Sequence, residues 1–179
     1  MSRRVSKAKE DEHIIIRRYK PGDNMPCRVL WTDLTAWHRH IYGDPSIGGK
    51  NPGRYFDRHL KKVGRKHVWV AVVGGRIVGL AGMILGEHEA ELEPLVVSER
   101  YRGRGIGRSL VETVIRAARR EGAHSLTVSP VARNVRAVRF FHELGFDTLG
   151  HIGMFNDFTP TSRQKWKSGM RIADRDFRF

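Results

Sequence analysis

The sequence predicts a mixed α/β domain of the α+β kind, a central sheet flanked by helices. Strand-like segments cluster between 67 and 97, and strands then alternate with helices between 107 and 158, the order expected when one sheet is covered by helices. Forty per cent of the 179 residues are hydrophobic, enough for one core. No internal repeat and no linker long enough to divide the chain is present, so a single domain over 13–158 is expected.

Residues 1–12, MSRRVSKAKEDE, read as a solvated, disordered basic tail. His13 to Arg18 reads as a first strand, ended by the turn-forming Lys20-Pro21-Gly22-Asp23. Residues 24–65 read as helical pieces broken at Gly43-Asp44-Pro45 and Ile47-Gly48-Gly49. They carry Trp31, Trp37, His38, His40 and Tyr42 as core residues or as the lining of a pocket. A meander follows: a valine-rich strand from His67 to Val73, the hairpin signal Gly74-Gly75, a strand from Arg76 to Leu85 and another from Glu87 to Val97. Gly107 to Arg120 is an amphipathic helix, with Leu110, Val111, Val114, Ile115 and Ala118 on one face. His124 to Val131 is an apolar strand. Asn134 to Leu144 is a helix with an N-cap asparagine and a terminating Gly145. Phe146 to Phe158 is predicted as a final long strand. Residues 159–179 form a basic extension with scattered aromatics, packed on the domain or trailing it.

The formal charge of +14 predicts anionic partners, whether nucleic acid, a membrane surface or a polyanionic cofactor. No apolar run approaches the ~18–20 residues of a membrane span, and the charged N-terminus lacks a signal-peptide core. The single cysteine, Cys27, excludes an internal disulfide, fits a reducing compartment and reads as a buried, incidental thiol. A soluble, cytoplasmic protein is expected, with no metal. Against the overall charge, Glu87, Glu89, Glu91 and Glu93 alternate and would share one face of a strand.

Arg102-Gly103-Arg104-Gly105-Ile106-Gly107 precedes the first amphipathic helix. Glycines let the backbone take left-handed angles and approach a ligand closely. The unpaired N–H groups of a helix start attract an anion, and Arg102, Arg104 and Arg108 add charge. A Walker A loop is excluded because Arg102 stands where it needs glycine and Arg108-Ser109 follows Gly107. The dinucleotide fingerprint fails in both registers, at Arg108 and at Leu110. By itself the turn is a phosphate cradle with several owners.

The run Glu91-Leu-Glu-Pro-Leu-Val-Val-Ser-Glu-Arg-Tyr-Arg-Gly-Arg-Gly-Ile-Gly, followed by that helix, resembles the acetyl-CoA motif of the GNAT superfamily of N-acetyltransferases. Arg102, Gly105 and Gly107 match its Arg/Gln-x-x-Gly-x-Gly/Ala pattern. The block from Asn134 to Phe146 looks like the family's later helix and its Gly-Phe exit. The resemblance covers 13–158 and is most specific from 91 to 146. It implies a mostly antiparallel sheet whose middle strands splay apart, with the pantetheine arm of the cofactor in the gap. Pro94 and Pro130, each lacking a ladder donor, are then tolerable where pairing already fails.

By the same resemblance, acetyl-CoA is the co-substrate. Its expected contacts are the backbone of Leu95, Val96 and Val97, the turn from Arg102 through Gly103, Arg104, Gly105, Ile106, Gly107 and Arg108 to Ser109, and then Asn134 and Phe141. The Val97 N–H or its neighbour would polarise the thioester carbonyl. The acceptor would be a small-molecule or peptide amine. A homodimer is a family-level expectation, and nucleic acid is an open but not expected partner, since no nucleic-acid motif is found.

Acylation needs a neutral nitrogen. Deprotonation at pH 7 costs about 4–5 kcal/mol for a lysine-like amine and about 1 kcal/mol for an α-amino group. A carboxylate at the splay can take that proton, and Glu91, in the position of some relatives' catalytic glutamate, is the expected base, with Glu93 second. The family's tyrosine that protonates the leaving thiolate is replaced by Phe141, so no acid is assigned. His142, Tyr101 or water could substitute, and a non-catalytic acyl-CoA sensor or a nucleic-acid- or ribosome-associated protein with a GNAT core are the rival readings.

Overall fold

A computed structural model describes residues 13–158, 160 and 166–179; the expected tail at 1–12 lies outside them. The elements run β1 (Ile14–Arg18), α1 (Asn24–Tyr42), α2 (Gly53–Val63), β2 (Val68–Val73), β3 (Arg76–Leu85), β4 (Glu89–Val97), α3 (Ile106–Arg120), β5 (Ser125–Thr127), α4 (Val135–His142), β6 (Ser168–Ile172) and β7 (Arg175–Arg178). The five strands β1–β5 form one sheet in sequence order. β1, β2, β3 and β4 pair antiparallel, and β4 pairs β5 in parallel through α3. The sheet is therefore mixed and mostly antiparallel, as expected.

Its two faces are covered by different helices. Ala90, Leu92, Ile106, Leu110, Val111, Val114 and Phe141 form a buried cluster on the α3 and α4 side. Leu30, Phe56, Val68, Val70, Leu80 and Val96 form a second with α1 and α2. Leu110, Val111 and Val114 recur at helical spacing and are completely buried, each contributing about 1.5–3 kcal/mol. α1 stops where expected, at Gly43 in the left-handed region (φ 62°), and the Asn134 side chain caps α4 by accepting from the Ala137 N–H at 3.1 Å.

Three expectations are corrected. The strand expected over 124–131 pairs only from Ser125 to Thr127, because Pro130 has no N–H and the two strands separate. The long strand expected over 146–158 does not form. The short β5 offers it no ladder, and Leu149, Ile152, Met154, Phe155 and Phe158 stand exposed instead. The basic extension contains a hairpin, β6–β7, turning through Ala173 and Asp174 at φ 48° and 58°. Trp166 ties its base to the domain by donating to Asp157 Oδ2 at 2.6 Å and packing edge-on against Tyr42 and Phe155.

Candidate active site

The site grows out of an irregularity in β4. Pairing with β3 runs Leu95↔Ala81 and then Leu92↔Met83, so Glu93 and Pro94 bulge opposite Gly82. The bulge flips the strand's facing. Ala90 and Leu92 point to the α3 side before it, and Leu95 and Val97 do so after it, whereas Val96 points to the α1–α2 side. Only a glycine fits opposite. A Cβ at Gly82 would collide with the Glu93 carbonyl and lie 2.8 Å from His59 Nε2 and 3.1 Å from Pro94 Cδ.

Beyond the bulge, the Ser98 N–H bonds the Val78 carbonyl at 2.8 Å. In an antiparallel ladder alternate residues turn their N–H and C=O to the same side. Val96 therefore addresses β3, and Leu95 and Val97 present theirs to the gap on the β5 side. The parallel ladder closing that gap ends at Glu91↔Thr127.

At the far end of β4 lies the glycine turn. Gly103 and Gly105 have φ 75° and 79°, and a Cβ on either would meet nothing within 4 Å. The Ser109 N–H reaches the Gly105 carbonyl at 3.0 Å and begins the α3 ladder, so the preceding N–H groups of the first turn stand at the helix's positive end. Gly107 is needed for packing, since its Cβ would stand 3.2 Å from Phe140 Cζ. The exposed turn thus fits a phosphate-bearing group.

Its arginines are not equivalent. Arg102 donates from Nε to the Val97 carbonyl at 3.0 Å and lies over the Trp37 ring at 5.8 Å, which clasps α1 to the turn. Arg104 lies over Tyr101 at 5.1 Å. Arg108 is exposed on the first turn of α3, and Ile106 is buried beneath it.

The acidic face is partly assembled. Glu89, Glu91 and Glu93 alternate within β4, whereas Glu87 falls outside it. Glu91 is half-buried and its Oε1 accepts from the Ser129 hydroxyl at 3.2 Å; Glu93 is exposed. Phe141 is 7% exposed and packs edge-on against Phe140 and Phe146, which makes it a core residue with no proton to give. Among the described residues no group of three His, Cys, Asp or Glu side chains could hold a metal, and no helix is long and apolar enough to cross a membrane.

Sequence reasoning missed two residues here. His59, on α2, is 6% exposed, stacks at a tilt on Trp31 and has no full hydrogen bond at Nε2. Burial foremost, then the Lys62 charge, push its pKa down to about 4; a weak contact to the Glu93 carbonyl opposes them. Its apolar helical neighbours gave no signal. Ser129 was findable, because it follows Thr127 by two and so shares its face.

The β4–β5 pair therefore opens beside the N-terminus of α3. The family model described as "Acetyltransferase (GNAT) family" matches residues 31–146, and the chain belongs to that family. N-acetyltransferase 8 of Rattus norvegicus is 34% identical over 88 residues, 46% of this chain and 40% of that protein. N-acetylaspartate synthetase of Xenopus tropicalis is 31% identical over 84 residues, 46% of this chain and 31% of that one. The chain thus spans less than half of these relatives. Among solved structures, glucosamine-6-phosphate N-acetyltransferase from Arabidopsis thaliana superposes with a TM-score of 0.61 at 19% identity, over 83% of this chain and all of that one. An aminoglycoside N-acetyltransferase in complex with CoA gives 0.62 at 16%, over 84% and 99%. These two share the fold.

Proposed function

We propose that this protein is an acetyl-CoA-dependent N-acetyltransferase that acts directly on a primary amine. The observation that carries the reading is the open glycine turn at the start of α3, set beside the gap where the β4–β5 ladder stops at Glu91 and Thr127. Acetyl-CoA supplies the acetyl group as a thioester. The turn from Arg102 to Ser109 holds its phosphates, and the N–H groups of Leu95 and Val97 are directed at the arm and the thioester carbonyl. Of the three β4 residues expected to contact the arm, Val96 contributes packing, since its backbone addresses β3.

Glu91 removes the proton from the incoming ammonium, directly or through water, with Glu93 as the second carboxylate on that face. No side-chain acid is needed, because a thiol of pKa about 8.5 leaves acceptably as the anion. Relatives and neighbours carry aspartate, glucosamine 6-phosphate and aminoglycosides in their names. Within the ~8–10 Å over which charges act, the β4 carboxylates favour a cationic amine over an acidic one. Thiol release from acetyl-CoA, followed across polyamines, aminoglycosides, peptide N-termini and lysines, tests the reading, which predicts stimulation by a cationic member. A Glu91→Gln variant with an unaltered pH–rate profile removes Glu91 as base. Phe141, sealed in the core, favours the second reading, an acyl-CoA sensor; the same panel supports it when acetyl-CoA binds and no amine stimulates release.

A further inference from the structure

The last rung of the β4–β5 ladder leaves the Glu91 carboxylate with a demanding position. Glu89 and Glu93 flank it on the same face, each about 6–7 Å along the strand, and all three carry like charge. A glutamate side chain has three rotatable bonds, and repulsion from both sides favours its swinging out to water. Across the gap, the chain after Thr127 no longer pairs with β4 and runs on to Pro130. Leu126 and Val128 turn to the α3 side, so Ser129 faces the same side as Thr127 and Glu91. Its hydroxyl donates to Glu91 Oε1 at 3.2 Å. One carboxylate oxygen is thereby held by a hydrogen bond from across the gap.

We propose that Ser129 is the positioning residue for Glu91: one hydroxyl, set two residues past the end of the ladder, fixes the carboxylate that receives the amine's proton. The proposal rests on the reading of Glu91 as base. Ser129 touches neither reacting partner; it acts by keeping Oε2 in one place and by replacing a water on Oε1.

The test combines a spectrum that needs no acceptor with a mutant cycle. In protein labelled with ¹³C at the glutamate δ-carbon, the Glu91 signal is assigned by its loss in Glu91→Gln. Ser129→Ala is expected to move it and Ser129→Thr to restore it. With the amine that best stimulates thiol release, Ser129→Ala should lower kcat about tenfold, the scale of one hydrogen bond to a charged group, and leave the KM for acetyl-CoA unchanged. Ser129→Thr should recover most of the rate, and Ser129→Ala should cause no further loss in the Glu91→Gln background. An unmoved Glu91 signal overturns the proposal, as does an equal loss of kcat in both backgrounds. Wild-type kcat in Glu91→Gln overturns the base reading itself, a result distinct from a silent Ser129→Ala variant in an enzyme that Glu91→Gln disables.

Discussion

Acidification should unfold this protein partly through one imidazole. His59 stays neutral in the native state down to pH about 4, whereas an unrestrained histidine protonates near 6.5. A histidine whose folded pKa is depressed binds fewer protons folded than unfolded, so stability falls as pH drops through the unfolded value and levels off below the folded one. The full difference amounts to about 3 kcal/mol, at about 1.36 kcal/mol per tenfold in proton affinity. Between pH 7 and pH 4.5 about 2 kcal/mol of it is lost, a large share of the ~5–15 kcal/mol that holds a domain together. Urea unfolding at the two pH values reads this loss directly. His59→Gln, which cannot titrate, should lose about 2 kcal/mol less than wild type over that interval. Comparing each protein with itself removes any packing defect in the variant. Asp23 and His38 contribute equally to both proteins, so equal acid losses in wild type and variant would refute the assignment of a buried neutral His59.

Gly82→Ala should destabilise by about 1–3 kcal/mol in urea unfolding, because its Cβ would press on the Glu93 carbonyl, His59 and Pro94. Asp23 accepts from Arg17 at 2.7 and 2.9 Å and from the Lys20 N–H at 2.7 Å; Asp23→Ala should therefore cost about 1.5–3 kcal/mol at pH 7. The Arg17 hydrogen bond foremost holds the Asp23 carboxyl below its ordinary 3.8. That contribution is present above the ordinary value and fades only in stronger acid, where an acid titration of wild type against Asp23→Ala would detect it. Cys27 is completely buried, and burial pushes its thiol up to about 12, so a thiol reagent at pH 8 should label it at the rate of unfolding and be accelerated by urea.

The glycine turn was legible because its conformation is local: Gly103 and Gly105 take left-handed angles ahead of a helix start, and neither needs a distant partner to do so. The helices were legible through their periodicity, as Leu110, Val111 and Val114 illustrate. The errors came where structure depends on a distant partner. Residues 146–158 have strand-like composition, but a strand needs an edge, and β5 ends at Thr127. The β6–β7 turn uses Ala173 and Asp174 rather than the usual glycine, so no local signal marked it. His59 sits on an otherwise ordinary helix, and its isolation comes from Trp31, Gly82 and Glu93, residues 23–34 positions away. Arg102 matched the motif by residue type, yet its Nε is spent on the Val97 carbonyl and its plane rests on Trp37.

The central claim is that the turn before α3 binds acetyl-CoA, and equilibrium calorimetry with Gly105→Val tests it most directly. Gly105 holds φ 79° with open space where a side chain would project; valine disfavours that angle and would fill the space before the helix N–H groups. The account predicts measurable acetyl-CoA binding by wild type and its loss in Gly105→Val, with the circular dichroism of the two proteins alike. Equal affinity in both would contradict it.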